Sequence, residues 1–325
     1  MDDAFEEYGG REEAAKTIAA IIWNNNVPLT DAMLKGISNP NLLVYVSEAS
    51  MAPKDVKNLV VNGKATNIVL VDADGNNNFF VPQEFTTEDI SYSRIFKQTT
   101  QDGISRGWEG ICLPFDVQKF IHEEHGEISP FANSTCDYHF WLRQPTDDGV
   151  INALSIEANK PYIISMPNSD EYDSEFNHPG LLRFISSNVT IPATKVDSVW
   201  LGDSAQIAPT FLNIEAAPDI YVLNVGDSIM NHREGSIFIS NYRSARPFEV
   251  YTIHEPRANE TNTFGSRIIS LSSLFGGNGT TGIIDAMKTT EPNGESWYDM
   301  NGRRLQGKPA RKGIYILNGK KVVIK

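Results

Sequence analysis

The residues of this chain that could do chemistry begin with His122-Glu123-Glu124-His125, two imidazoles three positions apart with two carboxylates between them. A zinc-protease helix needs His-Glu-x-x-His, four apart, so that both rings leave one helix face toward a metal that a third residue also holds. The spacing here is wrong, and no further Cys or His cluster is near in sequence, so the stretch reads as a solvated charged loop or helix turn. Asp72-x-Asp74-Gly75-Asn76 has the composition of a calcium loop. In an EF-hand the glycine is sixth and a bidentate glutamate twelfth, whereas here the glycine is fourth and the twelfth residue is Gln83. A hairpin turn holding at most a weak, adventitious cation is the expectation, and no metal site is assigned.

Gly226-Asp227-Ser228-Ile229 follows the apolar run Ile220 to Asn224 and resembles the nucleophile block of the Gly-Asp-Ser lipases and esterases; Gly202-Asp203-Ser204 repeats it. Those enzymes take their base from an Asp-x-x-His element near the C-terminus. None of the six histidines here has Asp three residues before it. A serine without a base is a weak nucleophile, so both blocks read as polar turns. Gly277-x-Gly279-x-x-Gly282 spells a dinucleotide fingerprint but lacks the strand before it and the helix after it that give the motif its meaning. Gly10 to Thr17, ending in Lys16-Thr17, is a degenerate phosphate loop in which Ala15 replaces the second glycine and Glu12 and Glu13 oppose a phosphate. It reads as the first turn of an amphipathic helix. No catalytic residue and no cofactor-binding residue is assigned.

Trp108, Trp141, Trp200 and Trp297, with 11 tyrosines, could form a platform for sugar rings, but aromatics in β-sandwiches mostly fill the core. The chain has 325 residues, enough for two or three domains. Its 28 basic against 41 acidic residues give a formal net charge of −13, which repels nucleic-acid phosphates and anionic lipid heads. Cys112 and Cys136 are the only cysteines, in apolar strand-like runs. They read as two buried free thiols, with one disulfide as the alternative in an oxidising compartment. No apolar run approaches the about 20 residues needed to span a bilayer. The N-terminus, Met1 to Glu7, is acidic where a signal peptide is basic. The chain is therefore expected to be either cytoplasmic or exported and seen without its leader.

The elements that must position these residues are mostly strands. Ala14, Ile18, Ile21 and Ile22 recur at helical spacing, predicting a helix from residue 11 that stops after Trp23, with Thr30 capping a short second helix. From residue 41 onward short apolar runs alternate with turn residues. Leu59 to Val61 ends in an Asn62-Gly63 turn signal, and Ile68 to Val71 with Phe79 to Val81 is expected to make a hairpin around Asp72 to Asn78. Further strands are expected at 90–96, 108–113, 138–142, 162–165, 181–185, 196–201, 220–224, 237–240, 248–253 and 267–271. The fold class is mainly β: an antiparallel sandwich or jelly roll over 41–275, with a sub-domain boundary near 145–150, a helical segment at 1–40, a glycine-rich linker at 276–282 and a small β-unit at 283–325.

Several phrases resemble a family of large surface proteins of Bacteroidetes-type gut and oral bacteria, some of which carry leucine-rich repeats upstream. They include Asn39 to Val46, Val60 to Leu70, Phe80-Val81-Pro82, Ile90 to Arg94, Gly107 to Val117, Lys160 to Ile164 and Arg246 to Tyr251. Trp297 to Leu305 with Lys312 to Lys325 resembles the C-terminal sorting domain linked to type IX secretion, with its last hairpin compressed to Asn318-Gly319. No internal repeat of fixed period and no leucine-rich repeat is read in the chain. Asp197-Ser198-Val199, Asp203-Ser204-Ala205 and Asp227-Ser228-Ile229 match the Asp-Ser/Thr-apolar pattern that resembles the O-glycosylation acceptor of these bacteria, where about one match is expected by chance. The resemblance implies an exported, non-enzymatic cell-surface module, structural or adhesive, at the outer surface. It carries no catalytic residues to transfer. The other reading is a glycan-binding or glycan-degrading surface protein; a glycosidase would need two carboxylates about 5 Å apart (retaining) or roughly 6.5–9.5 Å apart (inverting). The expected partner is a host or dietary glycan or a cell-envelope component, with no nucleic acid and no direct membrane insertion.

Overall fold

The computed structural model describes residues 10–72, 77–96, 107–133, 135–147, 149–168, 177–201, 205–224, 235–254, 268–270, 297–299, 304–305, 309, 312–317 and 320–324. Twelve strands form one large sheet: β1 (Ala20–Trp23), β2 (Leu43–Val46), β3 (Asn58–Val61), β4 (Lys64–Val71), β5 (Phe85–Ile95), β6 (Glu109–Ile111), β7 (Lys119–His122), β8 (Gly126–Pro130), β9 (His139–Thr146), β10 (Gly149–Asn152), β11 (Tyr162–Ser165) and β12 (Leu181–Ile191). A six-stranded sheet holds β13 (Val199–Leu201), β14 (Ala205–Pro209), β15 (Ile220–Leu223), β16 (Ile237–Ser240), β17 (Val250–His254) and β18 (Ile268–Ser270). The last four strands, β19 (Trp297–Asp299), β20 (Arg304–Leu305), β21 (Gly313–Leu317) and β22 (Lys320–Ile324), pair only with one another among the described residues. The chain is thus mainly β, as the strand-and-turn punctuation predicts. The large sheet is mixed: β1–β2, β2–β3, β4–β5 and β8–β9 run parallel.

The N-terminal helix is shorter than the Ala14–Ile22 periodicity predicts. Helix α1 spans Arg11–Thr17, Ile18 is already extended, and Ile21 and Ile22 lie in β1. Three β-branched isoleucines within five residues favour extended backbone, and β1 gains a parallel ladder with β2 that a helix would forgo. Helix α2 (Asp31–Leu34) follows Thr30, which makes no side-chain cap. Arg11 of α1 closes its far end instead, donating from Nη2 to the Met33 carbonyl at 2.7 Å and from Nε to that of Lys35 at 3.2 Å. Ile21, Leu29, Val44 and Val46 make a small core of their own beneath this stack.

Buried asparagine amides tie the stack to the rest. Asn41 Nδ2 donates to the carbonyls of Val71 and Asn77, each at 3.0 Å, while its Oδ1 accepts from the Val71 amide at 2.9 Å. Asn58 Oδ1 accepts from the Val69 amide at 2.8 Å, and Asn39 Nδ2 reaches the carbonyls of Ile18 and Asn78. These side chains satisfy backbone groups that an irregular connection would otherwise bury unpaired.

The Asn62-Gly63 turn forms as predicted, both residues having positive φ (48° and 74°) between Val61 and Lys64. The hairpin predicted around Asp72 to Asn78 does not. β4 pairs in parallel with β5, and Phe79 to Val81 is not a strand. Phe79 and Val81 are fully buried, and their amides are held by the Phe211 carbonyl (2.8 Å) and Thr194 Oγ1 (2.9 Å). The apolar run is core-filling connection. β9 and β10 pair antiparallel across the expected boundary near 145–150, with Gly149 opposite Thr146, and the change of sheet falls between β12 and β13.

The inward face of β5 is built by alternation, Ile90, Tyr92 and Arg94 pointing the same way. Placing an arginine on a core face demands counter-charges. Glu109 of β6 accepts from Arg94 Nη2 at 2.7 Å, Gly110 O accepts from Nη1 at 3.0 Å, and Asp72 and Glu249 stand at 3.6 and 3.9 Å. Glu249 in turn binds Arg243 at 2.7 Å. Burial opposes the Arg94 charge, and the carboxylates, Glu109 first and then Asp72 and Glu249, more than offset it, so the guanidinium is held charged. The network joins the two larger sheets, which also meet through Cys112 N to Phe248 O (3.0 Å) and a close approach at Gly110, where an added Cβ would lie 2.5 Å from Val250 Cγ2.

The predicted linker at 276–282 lies outside the described residues. Because β19–β22 pair only among themselves within the described residues, removal of residues 283–325 is expected to leave the rest folded. Residues 1–282 should then unfold cooperatively, with a midpoint close to that of the full chain in a thermal melt. An insoluble or non-cooperative product would make the tail part of the main fold, since losing it would expose a sheet edge.

Candidate functional site

Two of the candidate histidines are brought together with a third that sequence spacing did not connect to them. His122 ends β7, Glu123 to His125 form the turn into β8, and His178 lies just before the Pro179-Gly180 entry to β12. The antiparallel pairing of β7 with β12, Leu182 opposite His122, sets the two segments side by side. Ring centroids of His122 and His125 are 4.9 Å apart and stacked; His178 stands 5.1 Å from His125 and 6.0 Å from His122. Tyr138, at the start of the chain entering β9, stacks on His125 at 4.1 Å and meets His178 edge-on at 5.2 Å.

Glu123 and Glu124 of the turn are exposed, as the charged-loop reading expects, but the imidazoles beside them turn inward. His122 is 1% exposed and His178 is 2% exposed. The His122 proton is placed by its neighbours. Nδ1 accepts from the amides of Glu124 (3.2 Å) and His125 (3.4 Å), which leaves Nε2 to donate to the Pro179 carbonyl at 3.2 Å. His125 Nε2 lies 3.3 Å from the Asn177 carbonyl. Both ring nitrogens of His178 are buried without a hydrogen-bond partner. Burial, then His125 and His122, push its pKa down to about 3, against a smaller pull from the main chain of Asn177 and His139. Burial, then His125, also lowers that of His122. His122 and His178 are therefore both held toward the neutral form. Among the described residues no group of three His, Cys, Asp or Glu side chains is placed to hold a metal ion.

No family model, curated protein or solved structure matches this chain.

The other candidates are scattered. Asp72 is the described part of its acidic stretch and faces Arg94. Ser204, Ser228 and the glycines at 277–282 lie outside the described residues. Lys16-Thr17 ends α1, which begins at Arg11 with no strand before it among the described residues. Cys112 is buried and free, with Sγ at 3.3 Å from the Thr210 carbonyl, and burial raises its pKa; Cys136 is half-buried and free. Trp108 and Trp141 fill core positions, while Trp200 is 38% exposed on β13, its amide donating to Asp147 at 3.3 Å. Ser198, in the first Asp-Ser-apolar match, is exposed and donates to Gln206 at 2.9 Å.

Proposed function

We propose that this chain is an exported, non-enzymatic module of a bacterial cell surface, structural or adhesive. The observation that supports it best is the continuity of the large sheet. A parallel stack at one end, β1 to β3, runs on through β4, β5 and β12, and buried Asn39, Asn41 and Asn58 fasten the irregular connections. The stack passes into the rest of the sheet through the Val61–Lys64 pair, with the Asn58 and Asn41 side chains bonding the β4 backbone beside it, a join that would carry load between the two parts as an adhesive or scaffolding element requires. Arg94, Glu109, Glu249 and Arg243 add a buried tie between the two larger sheets. The resemblance of Gly107 to Val117 and of the tail to Bacteroidetes-type surface proteins supports an extracytoplasmic place for it. Protease shaving of intact native cells is expected to release peptides of this chain. Its recovery whole from shaved cells, in the cytosolic fraction, would overturn the proposal.

Glycan binding is the second reading, favoured by Trp200, which is 38% exposed on β13 and could offer an apolar ring face to a pyranose. A glycan array probed with the chain and with Trp200→Ala separates the two. Binding lost in the variant supports a sugar site, and an array without signal leaves the structural module.

A further inference from the structure

We propose that His122 and His178, packed against the His125 ring, form an acid-sensitive latch, which holds the β7–β8 turn against the segment entering β12 when the two rings are neutral and releases it when they are protonated. The argument starts from the hydrogen bonds. Nδ1 of His122 accepts two backbone amides, those of Glu124 and His125. A proton added there would set an N–H against two N–H donors, so charging this ring breaks the turn that it organises. Its Nε2 contact with Pro179 O is the direct tie to the opposing segment. Neither nitrogen of His178 has an acceptor at hydrogen-bond geometry; the main chain of Asn177 and His139 favours its proton only weakly, and its other neighbours are two imidazoles and the Tyr138 ring. A cation at that position would be buried and, once its neighbours charge, repelled by them.

The surrounding charges do not cancel this. On the turn itself Glu123 favours protonation of His122, but its Oε1 is committed to the Leu181 amide at 2.6 Å, and Glu124 contributes less. From β9 the facing groups are Tyr138 and His139, whose Nδ1 lies 3.2 Å from Ser129 Oγ. Glu127 of β8 is paired with Lys119 of β7 at 3.0 Å, near the surface. Asp170, Glu171, Asp173 and Glu175 precede His178 in sequence and lie outside the described residues.

The sign follows from burial. A base whose folded-state pKa is lowered stabilises the closed form fully above its free value, near 6.5, and loses that contribution as pH falls. For His178 the loss runs from about pH 6.5 down to the folded value of about 3. Each proton taken up on opening weakens the latch about tenfold per pH unit in that window. Carboxylates stay ionised down to about pH 5, so the range from pH 7.5 to 5.5 isolates the imidazoles.

The experiment is hydrogen exchange of the full chain at pH 7.5, 6.5 and 5.5, corrected for intrinsic rates. The amides of Glu124, His125 and Leu181 report on the latch. They are expected to lose protection about tenfold between pH 6.5 and 5.5, while amides within β14, β15 and β17 hold theirs. His178→Phe keeps a ring in the cluster but cannot charge, and should reduce that pH dependence to the part that His122 carries. His125→Phe, at a half-buried position against Tyr138, is the second variant should the first fail to fold. It should reduce the slope by removing one repelling neighbour. Unchanged protection of these amides down to pH 5.5 would overturn the proposal. So would a His178→Phe protein that opens as the unaltered chain does, or imidazole NMR signals of His122 and His178 that titrate at or above 6.5 in the folded protein.

Discussion

Replacing Arg94 by methionine is expected to lower the free energy of unfolding by about 3–5 kcal/mol, the usual cost of removing one member of a buried ion pair. Glu109 and Glu249 are 3% and 6% exposed, and Arg94 supplies their contact across the junction of the two larger sheets. Glu249 would keep Arg243 at 2.7 Å, so most of the loss should come from Glu109. The ring of Phe96, 5.1 Å from the guanidinium carbon, would also lose its cation. A double replacement, Arg94→Met with Glu109→Leu, should recover most of the loss, because a buried pair replaced by apolar groups of similar size is often near neutral. Chemical denaturation of the three proteins measures this. If the single replacement costs no more than an exposed ion pair, roughly 0–1 kcal/mol, the network does not hold the sheets together.

The arginine also shows where the sequence was legible and where it was not. Alternation along β5 could be read from Ile90, Tyr92 and Arg94, yet a charged residue at an inward position looks like an ordinary outward one until its partners are known. Glu109 and Glu249 lie 15 and 155 positions away, and only the sheet order brings them together. Some strands were readable to the residue, as at Tyr162–Ser165 and Ile237–Ser240, but β5 and β12 each run to eleven residues where shorter spans were expected, and β7, β8, β10 and β14 were not read. Strand direction was not, because Phe79 to Val81 has strand composition but is held by Phe211 and Thr194. At the N-terminus Ala14, Ile18, Ile21 and Ile22 satisfy helical spacing by coincidence, and the ladder to Leu43–Val46 wins over it. For the histidine cluster the local half, His122 and His125, was visible in the sequence. His178 sits 53 residues beyond His125, and a long-range antiparallel pairing joins them, which no spacing rule detects.

Phe248 carries the second large effect, and its backbone makes the expected order of substitutions unusual. The residue has φ 66°, in the left-handed region, although it is not glycine. Its ring is fully buried, 4.7 Å from that of Tyr92, 5.8 Å from Phe211 and 6.1 Å from Phe79. Its amide donates to the Thr210 carbonyl at 2.7 Å and its carbonyl accepts from Cys112 N at 3.0 Å, so both sheets fix the conformation. Removing the ring in Phe248→Ala should cost about 3–5 kcal/mol through lost burial and a residual cavity. Alanine, however, retains a Cβ and with it the steric cost of positive φ, about 1–2 kcal/mol, which glycine escapes. Phe248→Gly should therefore be as stable as Phe248→Ala or more so, although glycine is normally the worse residue in an ordered segment. Phe79, buried in the same aromatic cluster without positive φ, supplies the control: there Phe79→Gly should be less stable than Phe79→Ala. Denaturation midpoints of the four variants give both comparisons. If glycine is worse than alanine at both positions by the same amount, position 248 stores no strain, and the turn that threads Phe248 between the sheets is an ordinary one.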